Sequence, residues 1–275
     1  MTVNRKWGAL TDPQLIDELT ALVSRAAAAI MAVGPHGNTR TKSDLSPVTA
    51  ADEAANAVIL SCLAPLLPEL PVVSEESLET QTQQVVAKDF ILVDPLDGTR
   101  EFIAGRNEFT VNLAVIAGGV PVIGLIAAPA LGLIWRGIVG KGAERLTLAP
   151  GARPNESREI VPIHTRKRPR KLVAALSRSH FDADTAAFLD RLPDHERLIA
   201  GSALKFCRIA EGSADVYPRL APTCEWDIAA GHAIIVAAGG QMTTPDGAPI
   251  PYGKMTERFR VPGFVAWGDP QNPAE

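Results

Sequence analysis

The stretch Phe90-Ile91-Leu92-Val93-Asp94-Pro95-Leu96-Asp97-Gly98-Thr99-Arg100-Glu101-Phe102 decides how the rest of the chain is read. Its first four residues form an uninterrupted apolar run of strand length, the pattern of a strand buried on both faces. Two carboxylates follow, three residues apart, with Pro95 restricting the turn between them and Gly98-Thr99 opening a short helix. A strand that ends on Asp-Pro-x-Asp-Gly-Thr brings hard oxygen ligands and a helix N-terminus to one spot. Hard divalent cations take oxygen ligands, and helix N-termini take phosphate. The chemistry indicated is metal plus phosphate. Asp-Pro and Asp-Gly are also ordinary turn dipeptides, but the whole hexapeptide directly after a buried strand is far more specific than either.

Three further segments extend the pattern. Ser46-Pro47-Val48-Thr49-Ala50-Ala51-Asp52 sets a Thr-x-x-Asp ahead of an apolar helix. Val73-Ser74-Glu75-Glu76-Ser77 sets paired acids just after the apolar Pro71-Val72-Val73. Glu225-Trp226-Asp227-Ile228-Ala229-Ala230-Gly231, running on to Ala238-Gly239-Gly240, sets a third acidic site at a helix start. With these motifs in this order, the chain resembles the inositol monophosphatase superfamily of lithium-sensitive, magnesium-dependent phosphatases. Within it, the chain is most similar to the CysQ-type branch, the 3'(2'),5'-bisphosphate nucleotidases. The likeness runs from about Lys42 to Gly240.

The resemblance implies a layered α-β-α-β-α sandwich, where periodicity alone reads only as mixed α and β. It also implies two or three Mg2+ ions. Glu75, Asp94 and the backbone carbonyl of Leu96 would hold one. Asp94 would bridge to a second, which Asp97 and Asp227 also bind. Such a cluster of carboxylates is hard to maintain without cations, because like charges this close resist joint ionisation. Thr99 and Asp52 would be the activating pair, the carboxylate orienting the Thr hydroxyl to take a proton from the attacking water. Asp52 also reads as an ordinary first-turn acid favoured by the helix dipole, and Thr99 as an N-cap, but an N-cap tolerates Ser, Asp or Asn equally. The backbone amides of Gly98 and Thr99 would cradle the scissile phosphate. Substrate would therefore meet Glu75, Leu96, Asp97, Gly98, Thr99 and Asp227. Glu76 reads as a neighbouring acid rather than a ligand.

Substrate choice rests on the second half. Gly201-Ser202-Ala203-Leu204-Lys205-Phe206-Cys207 and Glu211-Gly212-Ser213-Ala214-Asp215-Val216-Tyr217-Pro218-Arg219 are similar to the nucleotidase branch. The inositol phosphatases lack this Lys-Phe-Cys run. Gly201, Ser202, Lys205 and Arg219 are therefore expected at the substrate, the two cations serving a second, non-scissile phosphate. Ser177-Arg178-Ser179-His180 also resembles nucleotidases, with His180 near the nucleotide, although a lone His in a loop is as often just solvated. Trp226 reads as core. The expected reaction removes the 3'-phosphate of adenosine 3',5'-bisphosphate, a by-product of sulfate assimilation, to give AMP. The alternatives are an inositol monophosphatase or other sugar-phosphate phosphatase, and an inactive regulatory module. Against the last, no ligand of the pattern is missing.

Composition bounds these readings. At 275 residues the chain can bury a sizeable core, and a 46% hydrophobic fraction is ordinary for a globular enzyme. A net charge of -4 argues against binding of polymeric nucleic acid, and the partner expected is a small molecule. Cys62, Cys207 and Cys224 lack metal-type spacing and read as reduced thiols, the first two packed within helices. No signal peptide is visible. The uncharged run from Leu113 to Trp135 is long enough to imitate a membrane span, yet Gly118-Gly119, Pro121, Gly124, Pro129 and Gly132 break it into successive buried strands. The location expected is cytoplasmic, with peripheral attachment to the inner membrane and the oligomeric state left open.

Along the chain, Asp12-Pro13 starts a helix that ends near Gly34, and a second helix runs from Ala50 until Pro65 and Pro68 stop it. The first strand of the motif is expected to end at Val93, and β structure to fill Phe109 to Leu148. Residues 149–170 change character, with four prolines and the start of the basic run Arg166-Lys167-Arg168-Pro169-Arg170-Lys171, which reads as a solvated loop rather than a steering patch. A boundary there divides an α+β domain carrying the metal motifs, 1–160, from an α/β domain, 161–275, that completes the metal and nucleotide sites. In the latter, strands are expected at Leu172 to Leu176 and Arg197 to Ile199, and helices at Asp182 to Leu192, Ala203 to Glu211 and Trp226 to Ala238.

Overall fold

The computed structural model describes residues 10–35, 39–41, 47–77, 88–178 and 181–270. Helix α1 (Pro13–Val33) starts as its sequence dictates. The Asp12 side chain accepts from Gln14 N at 3.0 Å, Pro13 occupies the first turn, and Gly34 ends the helix with a positive φ of 71°. Strands β1 (Thr39–Thr41) and β2 (Pro47–Thr49) pair antiparallel and lead into α2 (Ala50–Leu66). Pro65 sits inside the last turn of α2, so the chain leaves the helix two residues later rather than at the proline.

A seven-stranded sheet follows: β3 (Val72–Ser74), β4 (Phe90–Asp97), β5 (Thr110–Ala117), β6 (Val120–Ala128), β7 (Leu133–Ile138), β8 (Gly142–Thr147) and β9 (Glu159–Ile163), in sequence order. Only β3 and β4 are parallel; the rest is an antiparallel meander. The short helix α3 (Thr99–Ile103) leaves β4 directly. The second sheet has the order β11-β10-β12-β16-β14, made from β10 (Leu172–Ser177), β11 (His195–Ala200), β12 (Val216–Arg219), β14 (Gln241–Thr243) and β16 (Phe264–Trp267). Three helices belong to this half: α4 (Ala183–Asp190), α5 (Leu204–Ala210) and α6 (Glu225–Ala237). A two-stranded ribbon of β13 (Thr223–Cys224) and β15 (Arg260–Val261) completes it.

Strand periodicity sorts these elements into layers. Ile91 and Val93 of β4 point to one face of the large sheet, where Leu19, Leu22 and Ile30 of α1 and Ala55 and Ile59 of α2 cover them. Phe90 and Leu92 point to the other face, into a core shared with Phe206 of α5, Ile234 of α6, and Tyr217 and Phe264 of the small sheet. The far face of the small sheet, with Leu172, Leu176 and Val265, packs Leu189 of α4. The result is the five-layered α-β-α-β-α sandwich that the resemblance implied. The Leu113 to Trp135 run becomes β5, β6 and the start of β7, and no helix among the described residues is long and apolar enough to cross a membrane.

One boundary differs from expectation. Strand β4 continues past Val93 to Asp97, with a register shift between Asp94↔Asn112 and Asp97↔Thr110. That shift inserts one extra residue, a bulge, and a bulge is where a proline without an N–H is tolerated in a strand. Leu96 N turns to Asp94 Oδ1 at 3.1 Å. The bulge aims both carboxylates and the Leu96 carbonyl at the strand end.

Helix α6 lies unusually close on the large sheet because two strand residues lack a side chain. A methyl on Gly124 would stand 2.2 Å from the Ala230 carbonyl oxygen, and one on Gly137 2.7 Å from Ile234 Cα. Gly124→Ala should therefore push α6 off the sheet, with an overpacking cost of about 1–3 kcal/mol or more and a fall in Tm of roughly 3–10 °C. Thermal unfolding by circular dichroism checks this; a variant melting within a degree of wild type would contradict the close packing.

Candidate active site and metal centre

Four element termini meet at a cavity of about 240 Å3. Glu75 stands just past β3, Asp94 and Asp97 on the bulged end of β4, Thr99 at the start of α3, and Asp227 in the first turn of α6. All five side chains line the cavity, as do Leu96 and Gly98. From the other sheet come Gly201, Ser202, Lys205, Tyr217 and Arg219. Sequence separation is thus no guide to distance here: residues 75 to 227 converge because each ends an element on the same side of the two sheets. His180 lies outside the described residues, as do Lys42 and Ser46 at the edges of the motifs.

Asp52 is buried behind this cavity and holds two threonines. Its Oδ1 accepts from the Thr99 hydroxyl at 3.1 Å, and its Oδ2 accepts from Thr49 N at 2.7 Å and the Thr49 hydroxyl at 2.6 Å. Thr49 Oγ1 in turn accepts from Ala51 N, so Asp52 closes a capping box at the start of α2 and orients Thr99 at once. The Thr99 hydroxyl also lies 3.1 Å from the Leu96 carbonyl oxygen. Its single proton is committed to these acceptors, which turns an oxygen lone pair toward the cavity. Gly98 takes φ 89°, a conformation natural to glycine alone, and places the Thr99 amide at the helix start.

The electrostatics are dominated by Asp94. Burial first, then the charges of Glu75, Asp97, Asp227 and Asp52, push its carboxyl well above the ordinary 3.8. Asp97 is raised by burial and by Asp227, with Lys205, the Ser202 hydrogen bond and Arg219 opposing. The bonds of Asp94, Asp97 and Asp227 to protein donors run through one oxygen of each: Asp94 Oδ1 to Leu96 N, Asp97 Oδ2 to Ser202 and Asn112, and Asp227 Oδ2 to Thr223 and Cys224 N. As they stand, no three acidic, His or Cys side chains among the described residues close around one point. The donor set nonetheless fits hard divalent cations, which are the natural partner of a buried carboxylate whose neighbours are further carboxylates. Glu75, Asp94, Asp97, Asp227 and the Leu96 carbonyl are the residues that would hold them.

The opposite wall is cationic. Arg219 is largely buried, bonded to the Tyr217 hydroxyl, and its Nε has no partner among protein atoms. Burial opposes its charge, and Tyr217, Asp227 and Asp97 more than restore it. Lys205 is buried, with its ammonium on the carbonyls of Ala200 (3.3 Å) and Ser202, and burial lowers its pKa to about 8. Lys205 thus spends donors on the backbone where a free phosphate ligand was expected.

Several residues at the seam had no expected role. Glu108 accepts from Arg178 Nε and an Arg178 terminal nitrogen, both at 3.0 Å, and from Gly201 N at 3.0 Å, tying the large sheet to the ends of β10 and β11. Thr110 and Asn112 of β5 face Ser202 and Asp97. A lone acid between Asn107 and Phe109 carries no periodic signal, so Glu108 is invisible without coordinates. Trp226 is core, packed against Phe259. In the basic run, Arg166 forks onto Asp215, Arg168 lies over Trp267, and Lys171 meets Asp194 and Glu196.

The fold and the acid-lined cavity are those expected of a phosphatase, and comparison with known proteins agrees. The sequence model of the inositol monophosphatase family matches residues 12–264, and the chain belongs to that family. Among its relatives, the 3'(2'),5'-bisphosphate nucleotidase CysQ of Escherichia coli K12 is 40% identical over 261 residues, 91% of this chain and 98% of that protein. The enzyme of the same name from Salmonella typhimurium is 41% identical over 260 residues, with the same coverage. The crystal structure of CysQ from Bacteroides thetaiotaomicron superposes with a TM-score of 0.77 at 30% identity, covering 94% of this chain and 98% of that one.

The Asp94 environment yields a stability prediction. Its folded pKa is raised, so the folded state binds the proton more tightly, and stability falls as pH climbs from the ordinary value of 3.8 through the raised one. Metal-free Asp94→Asn should therefore melt above metal-free wild type at pH 8, the gap closing as pH drops toward 4. Calorimetry in EDTA across that range measures it; a variant less stable than wild type at pH 8 would refute the strain assigned to Asp94.

Proposed function

We propose that this protein is a Mg2+-dependent 3'(2'),5'-bisphosphate nucleotidase that removes the 3'-phosphate of adenosine 3',5'-bisphosphate, giving AMP and phosphate. The observation that carries the reading is the Asp52–Thr99 pair set against buried carboxylates on one wall of a cavity whose other wall presents Arg219. The nucleotidases among its relatives support the substrate class.

Glu75, Asp94, Asp97, Asp227 and the Leu96 carbonyl would hold Mg2+, which would supply Lewis acidity toward phosphate oxygens and make an attacking water easier to deprotonate. The protein's own part is positional. Asp52 holds the Thr99 hydroxyl so that its oxygen accepts a proton from the attacking water as the hydroxyl's own proton passes to Asp52 Oδ1. The Gly98 and Thr99 amides at the start of α3 receive the scissile phosphate. Gly201 and Ser202 line the substrate's other flank, and Arg219 takes the second phosphate, with the Lys205 charge behind it. Arg219 suits this task because its unpartnered Nε needs an acceptor and its fork matches a phosphate.

Assaying purified protein with Mg2+ on adenosine 3',5'-bisphosphate, inositol 1-phosphate and fructose 1,6-bisphosphate tests the proposal. The nucleotide should give the highest kcat/KM. Arg219→Met should raise KM for it by roughly ten- to hundredfold, the cost of one charged contact of about 1.5–3 kcal/mol. An adenosine monophosphate substrate, with no second phosphate to lose, should change far less. A higher kcat/KM on inositol phosphate would overturn the assignment.

A further inference from the structure

Ser202 holds a backbone conformation that only glycine adopts freely, φ 52°, at the edge of the cavity. Local sequence does not ask for it: Gly201 precedes it and α5 begins two residues later. The conformation is imposed by clamps on both sides. Glu108 takes the Gly201 amide at 3.0 Å, and the buried Lys205 ammonium takes the carbonyls of Ala200 and Ser202 itself. Residues held in disfavoured backbone regions by surrounding bonds concentrate where function requires a fixed geometry.

The fixed geometry points one group at one target. Ser202 Oγ lies 2.7 Å from Asp97 Oδ2 and 3.0 Å from the Asp97 carbonyl oxygen. The Thr110 hydroxyl stands against the same Oγ, so Thr110 donates to Ser202 and Ser202 donates to the carboxylate. Asp97 meets no other side-chain donor at comparable distance, since Asn112 Nδ2 is 3.5 Å away. We infer that Ser202 is a positioning residue: it fixes Asp97 Oδ2 so that the other carboxylate oxygen faces the metal position, and Lys205 and Glu108 exist in part to hold Ser202 there. This rests on the metal reading proposed above and adds a contact from the second half of the chain to the metal site of the first.

Two variants separate this role from others. Ser202→Ala removes the hydroxyl. Ser202→Gly removes it too and also relieves the left-handed backbone, so it keeps or raises stability. The readouts are Mg2+ binding by isothermal titration calorimetry without substrate, Tm in EDTA, and the Mg2+ dependence of hydrolysis. Both variants should bind Mg2+ roughly tenfold more weakly, in the range found when a group orienting a metal ligand is removed. The glycine variant should melt at or above wild type, and saturating Mg2+ should restore most of kcat. Mg2+ binding unchanged within about twofold in both variants would overturn the inference while leaving the proposed function standing. A weaker affinity joined to a markedly lower Tm in the glycine variant overturns it too, because general loosening then explains both. Wild-type protein that binds no Mg2+ removes the metal reading itself, and the inference with it.

Discussion

Everything at the centre of this molecule depends on keeping the Asp94 carboxylate buried among four other acids. Burial disfavours its charge, and Glu75, Asp97, Asp227 and Asp52 add repulsion. A fold left to its own energetics would swing these groups apart into water. Here each is fixed by the end of a packed element: β3 for Glu75, the β4 bulge for Asp94 and Asp97, the capping box of α2 for Asp52, and the first turn of α6 for Asp227. Core packing therefore offsets the electrostatic strain of holding these acids together.

That requirement explains features away from the site. Helix α6 can deliver Asp227 only by lying directly on the sheet, which is why Gly124 and Gly137 have no side chain. The two halves must also keep register, because the carboxylates come from both. Glu108 bridges Arg178 and Gly201, and Ser202 bonds Asp97 across the same seam. Glu211 does the same further out, gathering Trp135 Nε1, Arg145 and Arg208. Positive charge enters last, through Arg219 and Lys205, and both sit where Asp97 and Asp227 or Asp97 respectively support their protonated forms against burial.

Much of this was legible in the chain. Runs such as Phe90 to Val93 announce a doubly covered strand, and the acids follow it at the strand end. Asp52, Glu75, Asp94, Asp97, Thr99 and Asp227 duly line or back one cavity. What stayed hidden has a common physical cause: it depends on tertiary register rather than local pattern. The β4 bulge carries the strand past Pro95, where propensity would stop it. The charge of Lys205 is visible in sequence, but its burial and its two backbone acceptors are not. Glu108's bonds to Arg178 and to Gly201, beside the left-handed Ser202, span 70 and 93 residues, beyond any periodicity.

The central claim is that the carboxylate cluster around Asp94 is completed by a divalent cation. A carboxyl whose hold on its proton is strengthened by burial and by its acidic neighbours gives up bound proton when a metal takes its place. Titrating metal-free protein with Mg2+ by calorimetry at pH 5.5–6.5, in buffers of differing ionisation enthalpy, counts the protons released. The account predicts net release for wild type, shrinking as pH rises, and a smaller release for Asp94→Asn, in which only Asp97 keeps a raised carboxyl. Mg2+ binding without proton release across that range, or equal release from the asparagine variant, would contradict it.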